Sequence, residues 1–290
     1  MGVRNFGYRL LISLGLSALA TGTLSCGIEE PKITQRINME VASKNDTPDK
    51  YAVLINGGSE QRFSKNMGFV YRTLLDNGFE SENIYVLDNS SGDGDHYHID
   101  DGATKKSMST LFSHLGRKVD GHDFFLVHID DHGERGMVTN AESRLPEGVT
   151  YLKLYEECMD EMEFENFISK VEPKVGIVTT DICYGGGIAR RIGKGKFIGI
   201  SAATEHQIAY GSEERPSFCH LFYQAFSWLD FLATDQPDKN MDDVVSVGEA
   251  FEYAKGKHKP PANCLQTPQL VIDPNPLLDK PDPSKISLKD

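Results

Sequence analysis

Short apolar runs alternate with stretches of helical periodicity through most of the chain. Runs of mostly apolar residues predict buried strands at 51–55, 84–87, 124–129, 175–178, 197–200 and 269–272. In the intervening stretches apolar residues recur every three or four positions, which predicts helices near 69–75, 105–115, 161–171 and 244–257. Strands and helices that alternate at this spacing predict an α/β domain, with a mostly parallel six-stranded sheet that carries helices on both faces.

The beginning of the chain differs from this pattern. Arg4 and Arg9 precede an apolar run over 10–20, which is shorter than the roughly 20 residues that a membrane-spanning helix needs. This combination predicts a secretory signal peptide over residues 1–26. Its last residues, small ones followed by Cys26, resemble the lipobox of bacterial lipoproteins, in which the cysteine is lipidated. We therefore expect an exported protein that touches the membrane only through a lipid on Cys26, or that is otherwise secreted.

The rest of the chain divides into three parts. Residues 27–50 are polar and without apolar periodicity, which predicts a tether. Residues 51–235 contain the predicted α/β domain. Residues 236–290 are expected to form a C-terminal extension with one helix, a possible edge strand and a disordered end over 281–290.

Composition and charge narrow the possible partners. The 290 residues include 43 acids and 30 bases, a net charge of −13, and they contain no run rich in Lys and Arg. Nucleic acid is not an expected partner, because binding to its phosphates needs clustered positive charge. The wide spacing of the cysteines matches neither a dense disulfide framework nor a CxxC zinc site.

Two side chains suited to nucleophilic catalysis follow neighbouring strands. The third predicted strand leads into His132 and Gly133, and the fourth leads into Cys183 and the glycines at 185–187. Ligands bind outside the carboxyl ends of strands in a parallel sheet, so both side chains are expected at one edge. An imidazole can take the proton of a thiol and later protonate a leaving amine. The neighbouring glycines keep the backbone close to a substrate and offer N–H groups to an oxyanion.

These residues resemble the catalytic blocks of the caspase–hemoglobinase group of cysteine endopeptidases, in which one hydrophobic strand precedes His-Gly and another precedes acid-x-Cys. Within that group the chain is most similar to legumain, the asparaginyl endopeptidase. Residues 125–133 resemble its catalytic-histidine block, 51–58 its first strand and glycine turn, and 62–78 its first helix. The similarity extends over about 51–230. It implies a caspase-like fold and a thiol endopeptidase without a cofactor, acting on a peptide or protein substrate.

The resemblance also assigns roles to residues. His132 would be the acid/base, Cys183 the nucleophile that forms a thioester, and the N–H groups of Gly133 and Cys183 the oxyanion hole. The substrate pocket would be formed by three side chains, Arg62, Asp181 and Ser201.

The residue before the cut bond stays open at this stage. Legumain has Glu where this chain has Asp181, whereas metacaspases have Asp there and cut after Arg or Lys. An Arg opposite an acid suits a neutral amide, since one end donates to the carbonyl and the other accepts from the NH₂. Cleavage after Asn is therefore the first expectation, and cleavage after Arg or Lys is the alternative. Transpeptidation would follow if an amine opened the thioester instead of water.

Other interpretations compete with this one. His128, Asp130 and His132 would share one side of a strand and resemble a zinc set, although a third neutral ligand is missing, so no metal is expected. The acidic stretch 88–101 does not have EF-hand spacing and favours a solvated loop over a calcium loop. A non-catalytic exported binding protein is a further class of function that stays open.

The remaining cysteines are Cys158, Cys219 and Cys264. At most one disulfide can form among them, and free thiols are expected at all three positions.

Overall fold

The structure, a computed structural model, describes residues 30–40, 47–90, 97–136, 148–154, 156–212, 215–227, 236–275 and 280–289. The predicted signal peptide, 1–26, lies outside the described residues, and so does the candidate lipidation site Cys26. The strands in the described ranges are β1 (Lys50–Asn56), β2 (Ile84–Asp88), β3 (Phe124–Asp130), β4 (Gly133–Arg135), β5 (Thr150–Leu154), β6 (Glu157–Asp160), β7 (Val175–Asp181), β8 (Phe197–Ser201) and β9 (Gln269–Val271).

The helices connect these strands. They are α1 (Ile33–Met39), α2 (Gln61–Asp76), α3 (Lys105–Lys118), α4 (Glu161–Ile168), α5 (Gly186–Ile192), α6 (Phe218–Gln224) and α7 (Val247–Lys257), with a 3-10 turn at Ser81–Asn83. In the part of the chain that the structure describes, no helix has the length and apolar character to cross a membrane.

The main sheet has six strands in the order β2-β1-β3-β7-β8-β9. All neighbouring pairs are parallel except β8 and β9, which are antiparallel. The predicted six-stranded, mostly parallel sheet with helices on both faces is therefore confirmed. From β1 the chain first adds β2 on one side of β1. It then adds β3, β7, β8 and β9 in succession on the other side. The carboxyl ends of β1 and β3 flank this change of direction, where ligands bind in sheets of this kind.

Each face of the sheet buries its own hydrophobic core. Successive side chains of a strand point to opposite faces. On β3, Leu126 lies in the core that includes α2, α6 and α7, whereas Val127 lies in the core that includes α3, α4 and α5. Burial on both faces explains why the central strands appear in the sequence as continuous apolar runs rather than alternating ones.

A second, antiparallel sheet adjoins the carboxyl edge of the first. It has the order β4-β5-β6 and pairs Gly133 with Leu152. The N–H of Lys153 donates to the carbonyl of His132 at 3.1 Å. Gly57, just after β1, sits so close to this sheet that an added Cβ would overlap the carbonyl of Lys153. The small sheet therefore fixes the backbone on both sides of the change of direction.

The predicted tether, 27–50, differs from the structure because part of it is folded. Ile33 on α1 is fully buried in the core beside α3. Arg36 pairs with the buried Asp100 at 2.6 Å and also donates to the carbonyl of Ile84. Glu40 accepts hydrogen bonds from Lys118 and Tyr85. Helix α1 is held mainly by polar contacts, which leave no apolar periodicity in the sequence.

The expected disorder of 281–290 also differs from the structure, which describes 280–289. Ile286 and Leu288 are buried in the core beside α6 and α7, and the carbonyl of Leu288 accepts from Nζ of Lys50 at 2.9 Å. The prolines and charges of this segment suggested disorder, but two apolar side chains are enough to anchor it. The described residues from Pro31 onward belong to one compact unit, to which the segment 236–290 contributes the predicted helix, α7, and the predicted edge strand, β9.

The docking of α1 is testable by removing Arg36. Arg36→Ala should lower the free energy of unfolding by about 2–3 kcal/mol, because it leaves the Asp100 carboxylate buried without its cation. Chemical denaturation measures this change. The control is Arg72→Ala on exposed α2 surface, expected to cost less than about 0.5 kcal/mol. Equal effects of the two variants would show that α1 adds nothing to the fold.

Candidate active site

The pairing of β3 with β7 brings the two candidate catalytic residues to one edge. The register places Asp130, the last residue of β3, opposite Asp181, the last residue of β7. His132 and Cys183 each follow two residues later, so both chains leave the sheet at the same level. The backbones then meet: an added Cβ on Gly133 would overlap the carbonyl of Cys183. Only glycine fits at this position.

His132 and Cys183 line one cavity together with most of the predicted site. The described residues that line it are Arg62, Asp130, Asp131, His132, Asp181, Cys183, Ala209, Gly211 and Ser217. A neighbouring groove shares Arg62, Gly211 and Ser217 with this cavity and continues past Asn66 and His220. The structure therefore joins Arg62 and Asp181 to the candidate catalytic pair, as the resemblance implied.

Ser201 does not belong to this group. It is fully buried, and its hydroxyl donates to the carbonyl of Ala203 at 2.9 Å. Ser201 is absent from the described residues that line the cavity. The expectation that it forms a pocket wall is wrong, because the last residue of β8 points into the protein. Ser217, just before α6, occupies the cavity wall instead.

Glu60 orients the imidazole of His132. It lies immediately before α2, and its Oε1 is 2.5 Å from Nε2 of His132, with 45% of each side chain exposed. The edge of the Phe63 ring packs against the imidazole, with ring centroids 5.3 Å apart. Burial is the largest single effect on Glu60 and raises its pKa, but the hydrogen bond from His132, the local backbone N–H and the charges of His132 and Arg62 together outweigh it, so the pKa lies below its usual value. A carboxylate on Nε2 selects the tautomer whose unprotonated nitrogen is Nδ1.

The sequence offered only an indirect indication of Glu60. It follows the glycine turn after β1, at the edge where the sheet changes direction. Its partner is distant in the chain, so no local pattern identifies the contact.

The surroundings of Cys183 favour the thiol over the thiolate. Its Sγ lies 3.7 Å from the carbonyl of Ala209, which it contacts as a weak donor. Burial raises the pKa of Cys183, and the charge of Asp181 raises it further. Within the described part of the chain, no backbone carbonyl accepts from the N–H of Cys183, which interacts with its own Sγ. That N–H is available to a ligand.

The turn after Cys183 is strained and firmly anchored. Tyr184 adopts a left-handed backbone with φ of 62°, which is unfavourable for a residue with a side chain. Its N–H donates to the carbonyl of Gln207 at 2.8 Å, and its carbonyl accepts from Thr150 Oγ1 at 3.1 Å. These bonds fix the direction in which Cys183 enters the cavity.

The glycines at 185–187 have a packing role. The N–H of Gly185 donates to Ile182, and that of Gly187 donates to Tyr184. An added Cβ on Gly186 would lie 2.6 Å from the backbone nitrogen of Glu205. Gly185, expected to offer its N–H to an oxyanion, instead uses that N–H within the turn. Gly133 and Cys183 remain the candidate donors.

Asp131 ties the end of β3 to the end of β1. One carboxylate oxygen accepts from the N–H of Gly57 at 2.9 Å, and the other accepts from the N–H of His132 at 2.6 Å. Burial raises the pKa of Asp131 to about 7, against the lowering effect of these two hydrogen bonds. The carboxyl thus fixes the backbone beside His132 by local hydrogen bonds.

The zinc interpretation is not supported by the position of His128, and residues 91–96 of the candidate calcium loop lie outside the described residues. His128 is buried against Tyr223, with Nδ1 2.9 Å from the hydroxyl of Thr179, and burial lowers its pKa to about 3. Among the described residues no group of three or more His, Cys, Asp or Glu side chains is arranged to hold a metal ion. Cys158, Cys183, Cys219 and Cys264 are all free thiols.

Comparisons with known proteins address the fold alone. No family model matches the chain, and no curated protein matches it. Among the solved structures that match is the crystal structure of a structural-genomics target protein from Geobacter sulfurreducens. It is 13% identical, with a TM-score of 0.53, and the match covers 81% of this chain and 98% of that one. This similarity supports the α/β architecture.

The raised pKa of Cys183 predicts slow alkylation of its thiol at neutral pH. A raised thiol pKa leaves less thiolate at pH 7 than in a free peptide thiol, whose pKa is about 8.5. The iodoacetamide rate at Cys183 should therefore be lower than that of free glutathione at pH 7 and should keep rising above pH 9. Peptide mapping by mass spectrometry identifies the site. Fast alkylation that does not change with pH below 7 would instead indicate a preformed thiolate.

Proposed function

We propose that this protein is a cysteine endopeptidase, with Cys183 as nucleophile and His132 as acid/base. The observation that carries the proposal is the meeting of these residues in one cavity, with Glu60 bonded to the far side of the imidazole. A histidine that is oriented by a carboxylate and lines the same cavity as a thiol can activate such a nucleophile. The resemblance to legumain and its relatives remains a prediction from the sequence and leads to the same activity.

The proposed reaction has two stages. Nδ1 of His132 takes the thiol proton as Cys183 Sγ bonds to the scissile carbonyl carbon, and the N–H groups of Gly133 and Cys183 face the developing oxyanion. Collapse breaks the C–N bond, and His132 delivers the proton to the leaving amine. Water then attacks the thioester carbon while His132 takes one of its protons. The C–S bond breaks, the acid is released, and His132 returns the proton to the thiolate of Cys183. Glu60 stabilises the imidazolium that forms in each stage.

Arg62 and Asp181 supply the proposed contacts for the side chain before the cut bond. Both line the cavity beside Cys183, and the guanidinium of Arg62 lies 3.9 Å from the ring centre of Phe63. Asp181 is fixed by the N–H of Cys219 at 3.1 Å. An Arg and an acid together suit the amide of Asn, which is the first proposal. Cleavage after Arg or Lys is the alternative, favoured by a second buried carboxylate, Asp130, in the same cavity.

We also propose that the protein is exported. This part of the proposal rests only on the sequence of residues 1–26. The enzyme would act on peptides outside the cytoplasm, tethered through Cys26 or secreted.

Cys183→Ala tests the nucleophile. The exported part, residues 27–290, should cleave fluorogenic peptides with Asn, Asp or Arg before the cut bond, and Cys183→Ala should lower kcat/KM by at least about 10³-fold. The matched control is Cys264→Ala, a half-buried free thiol outside the cavity, which should retain full activity. Cleavage that persists in Cys183→Ala would exclude the mechanism. A lack of cleavage by the unmodified protein would favour a non-catalytic binding protein.

Glu60 is proposed as a positioning residue. Glu60→Ala should lower kcat by about 10- to 100-fold with KM nearly unchanged, because the imidazole loses its orientation and its counter-charge. Glu60→Gln keeps an acceptor for Nε2 and should recover part of kcat.

Glu80→Ala is the control for this experiment, since Glu80 precedes the 3-10 turn at Ser81–Asn83 in the same way and lies outside the cavity. Equal kcat for Glu60→Ala and the unmodified protein would remove Glu60 from the mechanism. A rise in KM alone would assign it to substrate binding instead.

A further inference from the structure

Two buried carboxylates lie side by side in the cavity next to Cys183. Asp130 and Asp181 are register partners at the ends of β3 and β7, and both line the cavity. Their residues are only 2% and 6% exposed. Side chains at paired positions of neighbouring strands point to the same face, so the two carboxylates are close neighbours.

The two carboxylates differ in how many hydrogen bonds they accept. Asp181 accepts from the N–H of Cys219 at 3.1 Å and from the side chain of Ser217. Asp130 interacts with the amide of Asn66, but its Oδ2 is buried and has no hydrogen-bond partner among the described residues. An unpartnered buried carboxylate oxygen is costly, and a proton or a ligand donor removes that cost. In this protein the free oxygen belongs to a residue that lines the candidate substrate cavity.

The surrounding groups do not neutralise both acids. Arg62 carries a permanent positive charge that lowers the pKa of both acids, and for Asp181 the effect of His258 is larger than that of Arg62. Among the described residues no ion pair within 4.0 Å joins Arg62 to either carboxylate. The other titratable groups that face the pair are Asp131 after β3, Cys183 after β7, Cys219, His220 and Tyr223 on α6, and His258 after α7. Burial lowers the pKa of His220, so it adds no charge near neutral pH.

We propose that Asp130 is a specificity-determining residue of this cavity, and that it shares one proton with Asp181 so that the cavity accepts a neutral amide side chain while the proton is bound and a basic side chain once it is released. The inference rests on the proposed function. With the proton bound, the pair and Arg62 have no net charge. After its release they carry one negative charge, which a guanidinium or ammonium neutralises.

The direction of the pH effect follows from burial. Burial raises the pKa of Asp130 well above its usual value, and the neighbouring charge of Asp181 raises it further; burial also raises the pKa of Asp181. Because both values are raised, the shared proton persists above the pH at which an ordinary aspartate is ionised and is lost as the pH rises. A bound basic side chain favours the ionised pair and promotes that loss.

The test compares substrates that differ only in Asn or Arg before the cut bond, across pH 4.5 to 8.5. The ratio of kcat/KM for Arg to that for Asn should rise with pH, at most tenfold per pH unit as expected for one proton. In Asp130→Asn this ratio should favour Asn and stay flat. Asp123→Asn is the control, because Asp123 is also a buried acid with a pKa raised by burial but lies at the opposite edge of the sheet.

A ratio that is flat in the unmodified protein, or equally steep in Asp130→Asn, would overturn the inference. Absence of Cys183-dependent cleavage of either peptide would instead overturn the proposed function. Calorimetry on Cys183→Ala gives a readout that does not require Asp130→Asn to fold. Measured in two buffers of different ionisation enthalpy near pH 6, binding of the Arg peptide should release up to one proton and binding of the Asn peptide none. Equal proton release by both peptides would also overturn the inference.

Discussion

The parallel pairing of β3 with β7 determines the geometry of the candidate active site. The last residues of the two strands, Asp130 and Asp181, are register partners, and His132 and Cys183 leave the sheet two residues beyond them. A slip of one residue would move every side chain of a strand to the other face. The two hydrophobic cores prevent such a slip, because Leu126 and Val127 must face different helices. The positions of a thiol and an imidazole thus depend on apolar residues far from the chemistry.

Hydrogen bonds to carboxyl groups hold the carboxyl edge of the main sheet together. Asp131 joins two strand ends through backbone N–H groups, Glu60 holds the imidazole, and Asp181 anchors the start of α6. Burial opposes ionisation of each of these three acids, and only at Glu60 do the hydrogen bonds and nearby positive charges together outweigh it. Hydrogen bonds therefore fix the geometry of this edge, whereas burial raises the pKa of Asp131 and Asp181.

Much of the fold was predictable because its physical causes are local. Strands buried on both faces require continuous apolar runs, which the sequence displays. Helix α1 escaped prediction because a charged Arg36 and a single buried Ile33 do most of its docking. The strands of the small sheet are short and partly exposed, so they leave little periodicity. For the site, His132 and Cys183 were identifiable from their strand ends. Glu60 and the pairing of Asp130 with Asp181 depend on register and long-range contact, which no local pattern encodes.

The two outer strands of the main sheet also restrict how a peptide can be bound. Beside β2, the backbone of Asp100 and Asp101 already donates to the carbonyl of Val86, and Asp101 accepts from Asp88. At the other side β9 is only three residues long and follows Pro268. Long open strand edges invite pairing with other chains, and these two give little opportunity for it. An extended peptide therefore has little chance to lengthen the main sheet, and its backbone must be recognised by the loops above the carboxyl ends. The same arrangement protects the protein from edge-to-edge aggregation.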